Sequence, residues 1–365
     1  MKKYAAALII LMLLTMSTAV LINIFSAEAS SSEAGFFENI EDSVSISIPF
    51  REEFSELMDG IRYLSGVRHF GDIYIGSEGS LLKEIERPSS RTFSVAKNYI
   101  LSFAEKNQIK PYFMLVPTSS AILQQEIDSY ARQELFNQRN MINRMYSEFD
   151  GRVRTTDIYQ TLYDHRGEYI YYHTEDMPTS LGGYYIYGEL CSRLGIEQNT
   201  MDSFAAAYVA RGFYGNLATG FFKNYADSDF VSLYEYVGSE RKTVVEKRYS
   251  SGISRISNSI FIYDEKGFED KTDMIFGGMA PVMDISVSQS FGERNSILIF
   301  GDESAKSWLP FLSSSFGRIT FVDLNSATEE LLSSISVKDY DLVLFAYSTA
   351  SFVSEISFEK LEFLK

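Results

Sequence analysis

The chain has 365 residues, 45% hydrophobic and 15% aromatic, with 33 basic side chains against 49 acidic ones and a net charge of −16. So much apolar side chain excludes a disordered polymer, and the acidic surplus disfavours binding that works by neutralising phosphates, so no nucleic-acid partner is expected. The single cysteine, Cys191, allows no internal disulfide, and three scattered histidines (His69, His165, His173) form no zinc pattern; neither a metal nor a cofactor is expected.

Met1-Lys2-Lys3 leads into an uncharged run from Tyr4 to Ala27. At ~1.5 Å of helix rise per residue that run can span a bilayer, and its length favours an uncleaved anchor. Ala27-Glu28-Ala29 offers the alternative of a signal-peptidase site, with secretion after cleavage behind Ala29. Basic residues precede the run and Glu28, Glu33 and Glu38 follow it, so the positive-inside rule puts a single-pass cell-membrane protein with its body outside the cytoplasm. Residues 1–29 are therefore read as anchor or signal peptide, 30–70 as juxtamembrane spacer and helix, and 71–365 as the ectodomain.

Phe54, Leu57, Met58, Ile61 and Leu64 recur at helical spacing and predict an amphipathic helix. Asp72 to Gly76 is strand-like, with Gly76 and Gly79 marking a turn before Leu81 and Leu82. A helix is predicted around Ser94 to Lys106, a buried strand over Pro111 to Val116, and a long helical stretch from there to about Met145. Residues 205–275, with Thr243 to Val245 and Ser259 to Tyr263 between Gly and Asp punctuation, read as an antiparallel, β-rich insert. Three further apolar runs, Ser296 to Phe300, Ile319 to Val322 and Leu342 to Phe345, each end in a small or polar residue. Short continuous apolar runs separated by helical segments predict an α/β fold around a mainly parallel sheet.

In an open α/β sheet, ligands bind beyond the carboxyl ends of the strands, which nominates Pro117-Thr118-Ser119, Gly301-Asp302-Glu303-Ser304 and Asp323. Ser304 after a hydrophobic strand is how a hydrolase can present a serine nucleophile, although Asp302 and Ser304 equally make an ordinary helix cap. His173, with Glu175 and Asp176 close behind it, is the best-placed base. Tyr171-Tyr172 and Tyr184-Tyr185 offer aromatic surface on which a sugar could stack, though aromatics at such spacing more often build core.

Taken together, these blocks resemble a family of extracytoplasmic proteins named for an Asp-His-His-Trp motif, relatives of the alginate O-acetyltransferase-like branch of the SGNH hydrolases. The resemblance rests on Pro49-Phe50-Arg51, Ile73 to Gly76 with Gly79 and Leu81-Leu82, Met114 to Thr118, Thr179-Ser180-Leu181-Gly182-Gly183-Tyr184, Gly212 to Gly215, Gly277-Gly278 and Trp308 to Leu312. It implies an SGNH-hydrolase-like three-layer core and substrate contacts at Tyr172, Thr179 and Asp302. It also implies that the chemistry has changed. The motif's Asp falls on Glu175, its His on Met177, the nucleophile on Glu303, and the Asn of a Gly-Gly-Asn turn on Met279. A triad works as a unit, so these four exchanges imply a degenerate enzyme. Ser304 and His173 are the fallback pair if the turns are shifted. The function expected is a non-catalytic component of cell-envelope polysaccharide O-acetylation or export, with a polysaccharide and a membrane O-acyltransferase as partners. The alternatives are an active serine esterase or O-acetyltransferase using Ser304, and a purely structural envelope protein.

Overall fold

The computed structural model describes residues 51–238, 241–288, 295–354 and 356–365. They fall into two units that divide after Val67, each taken by itself. The first contributes helix α1 (Arg51–Leu64), which carries the apolar repeat read from the sequence. The candidate span Tyr4 to Ala27 lies outside the described residues, among which no helix is long and apolar enough to cross a membrane.

The second unit, residues 68–365, begins with a small antiparallel sheet of β1 (His69–Phe70), β2 (Ile73–Ile75) and β3 (Leu81–Lys83). Ten longer-range strands follow: β4 (Tyr112–Val116), β5 (Arg154–Thr156), β6 (Phe204–Phe213), β7 (Asp229–Tyr236), β8 (Thr243–Arg248), β9 (Ser254–Ser257), β10 (Val282–Val287), β11 (Ser296–Gly301), β12 (Arg318–Val322) and β13 (Leu342–Ser348). Strands β6 and β7 pair only with each other, as a bulged ribbon. The rest form one eight-stranded sheet in the order β5-β4-β13-β11-β12-β10-β8-β9. Its first five strands are parallel, which brings Met114, Leu344, Leu298 and Phe321 onto adjacent parallel strands. The last three run antiparallel, so the sheet is mixed rather than mainly parallel throughout.

Alternation along the parallel strands explains why their sequences are apolar without a break. Met114, Ile299, Phe321 and Leu344 face one hydrophobic core, while Phe113, Leu298, Phe300, Val322 and Phe345 face another. The second core is closed by α2 (Ser90–Asn107) and α3 (Gln138–Glu148), and the first by α4 (Ser180–Leu194) and α5 (Ala305–Leu312). Three layers result.

Two expectations need correction. The stretch from Val116 to Met145 is not one helix: turns at Ser119–Ile122, Gln124–Glu126 and Ser129–Arg132 precede α3. Ser259 to Tyr263 forms only a bridge between Phe261 and Ile275. There the hydroxyls of Ser257 and Ser259 accept hydrogen bonds from the main-chain N–H groups of Ser259 and Phe261, which turns the chain out of strand geometry.

Helices α4 and α5 pack unusually closely. A Cβ on Gly183 would stand 1.9 Å from the carbonyl oxygen of Ser307, and one on Gly182 would stand 2.3 Å from that of Ile170. Both obstacles are backbone and cannot swing away. Gly183→Ala is therefore expected to destabilise the fold by about 1–3 kcal/mol or more, read as a lower urea midpoint. An unchanged midpoint would show that the two helices are not in contact at this position.

Candidate functional site

The carboxyl ends of the parallel strands are level, with Gly301 of β11 opposite Ala346 of β13, and Ser348 opposite Val116 of β4. Beyond them lies an open cleft of about 350 Å³. Three chain segments supply most of its chemistry: Glu175, Asp176 and Met177 before α4, Asp302, Glu303 and Ser304 before α5, and Ser348 with Ser351 after β13. The close α4–α5 packing explains the meeting of the first two, because each segment immediately precedes one of those helices.

Ser304 is 5% exposed, and its hydroxyl donates to Asp302 Oδ1 at 2.5 Å. Its N–H donates to the same oxygen at 3.1 Å, while Asp302 Oδ2 accepts the Ser348 N–H at 2.7 Å. Asp302 therefore ties the end of β13 to the start of α5, whereas Ser304, at the N-cap, makes no side-chain capping bond of its own. Glu303 points elsewhere, to Nζ of Lys306 at 2.5 Å. Lys306, fully buried, also donates to Asp273 at 2.5 Å and lies 3.7 Å from Asp270. Carboxylate oxygens of Asp270, Asp273 and Glu303 come within 4.8 Å of one another, and the ammonium supplies one positive charge among them from within the chain. Burial pulls the Lys306 ammonium down, but the charges of Glu303 and Asp273 more than offset this and its pKa is raised.

Glu175 accepts the Asn216 N–H at 2.8 Å. A Cβ on Gly215 would stand 2.6 Å from the Glu175 carboxylate, so this approach needs a glycine. Burial, with the charges of Asp270 and Glu303 added, raises the Glu175 pKa from 4.5 to about 7. Burial likewise raises Asp176 from 3.8 to about 6, although its carboxylate accepts the Ser119 hydroxyl at 3.2 Å. Met177, 7% exposed, gives the cleft wall a thioether that cannot take a proton.

Several nominated residues do not join the cleft. Residues 173–177 form a bend closed by a bridge between Tyr171 and Pro178, not a strand, so His173 does not share a face with Glu175 and Met177. Its ring Nδ1 lies 3.8 Å from Asp229 instead, and no imidazole lines the cleft. Asp229 itself is saturated, accepting from Tyr169, from the N–H groups of His173 and Thr174, and from the Thr174 hydroxyl. Tyr172 is 1% exposed, its ring packed edge-on against Phe213, and has no face free for a sugar. Thr179 is the N-cap of α4: its hydroxyl accepts from Gly182 and donates to the Tyr169 carbonyl. Met279 is half-buried against the first core and does not line the cleft. Asp323 closes its own turn by accepting from Asn325 and Ser326.

Lys306, Asp270, Asp273 and Asn216 escaped the sequence reading. Lys306 had a readable signal, since it is the only charged residue in an otherwise apolar helix and stands three positions after Glu303. Asn216 directly follows the Gly212 to Gly215 block. Asp270 and Asp273 carried no local mark.

The family model described as DHHW protein matches residues 89–322, more than half of the chain. The chain belongs to the DHHW family. A crystal structure of a DHHW family protein from Eubacterium siraeum is 19% identical with a TM-score of 0.66, covering 81% of this chain and 96% of that one. Bacillus cereus PatB1 with a sulfonyl adduct is 15% identical with a TM-score of 0.62, covering 80% of this chain and 100% of that one. At such identities the likeness is one of fold. No curated protein sequence matches the chain.

The raised carboxyls of this DHHW chain have a consequence with a definite sign. A carboxyl whose folded pKa exceeds its unfolded one holds its proton more tightly when folded. The stability Glu175 contributes is therefore complete below about pH 4.5 and is lost as pH rises through about 7. Urea unfolding across that window should show a fall of roughly 1–3 kcal/mol from this group. Glu175→Gln should flatten most of it, leaving the smaller step of Asp176. An identical pH profile for the variant would mean that Glu175 is solvated and ordinary.

Proposed function

We propose that this protein is a catalytically silent DHHW family member, anchored outside the cytoplasm, that serves cell-envelope polysaccharide O-acetylation or export by binding glycan or a partner enzyme such as a membrane O-acyltransferase. One observation carries the reading: among the described residues the cleft offers no serine–histidine pair. The only serine at the nucleophile turn, Ser304, has its hydroxyl proton committed to Asp302, and no imidazole lines the cleft. Glu303, on the position the family resemblance reserves for the nucleophile, is held by Lys306. Its negative charge at the mouth would oppose the oxyanion that acyl transfer must form. The apolar run Tyr4 to Ala27 supports the anchor, and family membership supports the envelope setting.

The test uses the purified full chain with acetyl esters and a fluorophosphonate probe. Hydrolysis no faster than in buffer, no labelling, and no change in Ser304→Ala are the expected outcomes. Glu303→Ser alone should not create activity, because position 177 still lacks a base. Ester turnover abolished by Ser304→Ala would overturn the reading in favour of a serine esterase or transferase.

A further inference from the structure

A second cleft, of about 340 Å³, opens between the β6–β7 ribbon and the segment 258–261, at the end of α5 far from Ser304. Tyr234, Tyr236, Arg241, Asn258, Ser259 and Phe261 line it. Arg241 is half-buried and lies flat on Tyr236, with its guanidinium carbon 4.0 Å from the ring centre. Only one of its fork donors has a partner among the described residues, the Ser313 carbonyl at 3.4 Å. No carboxylate among the described residues lies within 4.0 Å of it, unlike Lys306 or Arg248, which are paired. Burial pulls the guanidinium below its ordinary value, and only the nearby Tyr236 and Tyr187 work in the other direction.

A cation taken part-way out of water without a counter-ion is costly, and an arriving anion would recover that cost. The planar fork suits a carboxylate or phosphate bound by two parallel hydrogen bonds. Around it stand an exposed amide (Asn258), a hydroxyl (Ser259) and aromatic edges, the mixture that orients a polyhydroxylated ring. The first cleft has the opposite character: seven carboxyl groups (Asp72, Glu84, Glu86, Glu175, Asp176, Asp302, Glu303) line it against one lysine, Lys83. We infer that the Arg241 cleft is a binding site for an anionic sugar, one that carries a carboxylate or phosphate, with Arg241 gripping the anion and the residues around it contacting the ring. Glu235, an exposed carboxylate at the rim that accepts the Tyr263 hydroxyl at 3.4 Å, sets a negative edge that weakens the grip.

The inference rests on the glycan-binding reading and is separable from it. The full chain is titrated calorimetrically with trigalacturonate, glucose 6-phosphate and neutral maltotriose, at low and high salt. Binding of trigalacturonate or glucose 6-phosphate in preference to maltotriose, weakened by salt, is expected, and whichever of the two binds identifies the anion. Arg241→Gln should weaken it at least tenfold, Arg241→Lys less, and Glu235→Gln should strengthen it several-fold. Because Arg241 also packs on Tyr236, thermal unfolding accompanies each variant; if Arg241→Gln does not fold, the rim variant Glu235→Gln decides, and unchanged affinity there refutes the site. Equal binding of the neutral sugar also refutes it. Glycan binding that survives Arg241→Gln and is lost in Glu175→Gln refutes this site while upholding the glycan reading. Failure of every sugar to bind removes both.

Discussion

The close contact between Gly183 and the Ser307 carbonyl sets the geometry of everything at the sheet's carboxyl edge. With no side chain between them, α4 and α5 lie against each other on one face of the sheet, and the loops that feed them have nowhere to go but toward one another. Glu175 to Met177 and Asp302 to Ser304 become neighbours although more than a hundred residues separate them. The parallel strands β11 and β13 fix the other side of the cleft, since Asp302 accepts the N–H of Ser348. A site assembled this way depends on backbone contacts and helix packing, not on the identity of the side chains that fill it. The framework can therefore persist while its chemistry changes.

What now fills the cleft is electrostatic rather than nucleophilic. Lys306 stands on the first turn of α5 and draws in Glu303 from the turn just before that helix and Asp273 from a distant loop. Such a buried charge is tolerable only because its carboxylate partners surround it. Replacing Glu303 would therefore alter more than one side chain. Glu175, buried and under the charges of Asp270 and Glu303, is pushed toward its neutral form. These carboxyl groups give this cleft a negative lining, in contrast to the cleft lined by Arg241.

Much of the scaffold was legible in the sequence because parallel strands buried on both faces must be continuously apolar, and Ser296 to Phe300 or Leu342 to Phe345 can hardly be anything else. The Gly182-Gly183 pair was legible as part of a family block, though its physical reason appears only when the Ser307 carbonyl is seen above it. Residues of β8 and β9 were legible as an antiparallel stretch, but neither their place at the edge of the main sheet nor the direction of β10 was. Strand β10 has the same apolar content as a parallel neighbour, and direction is set by the connection, which local pattern does not encode. His173 misled for a related reason: alternation along a strand decides which residues share a face, but a two-residue bridge at Tyr171 and Pro178 leaves the intervening residues as a bend. Asp270 and Asp273 were hidden because only the tertiary structure brings them to Lys306.

We propose that the cleft keeps a catalytic framework whose reacting groups have been replaced. The most direct test restores all three groups at once, Glu175→Asp, Met177→His and Glu303→Ser, and measures acetyl-ester hydrolysis by the folded variant beside the parent chain. If the framework is intact, the triple variant turns over ester measurably faster than the parent, and the gain disappears when Met177 is left unchanged. A triple variant that unfolds at the same urea concentration as the parent, yet hydrolyses no faster, would contradict the claim that this cleft preserves catalytic geometry.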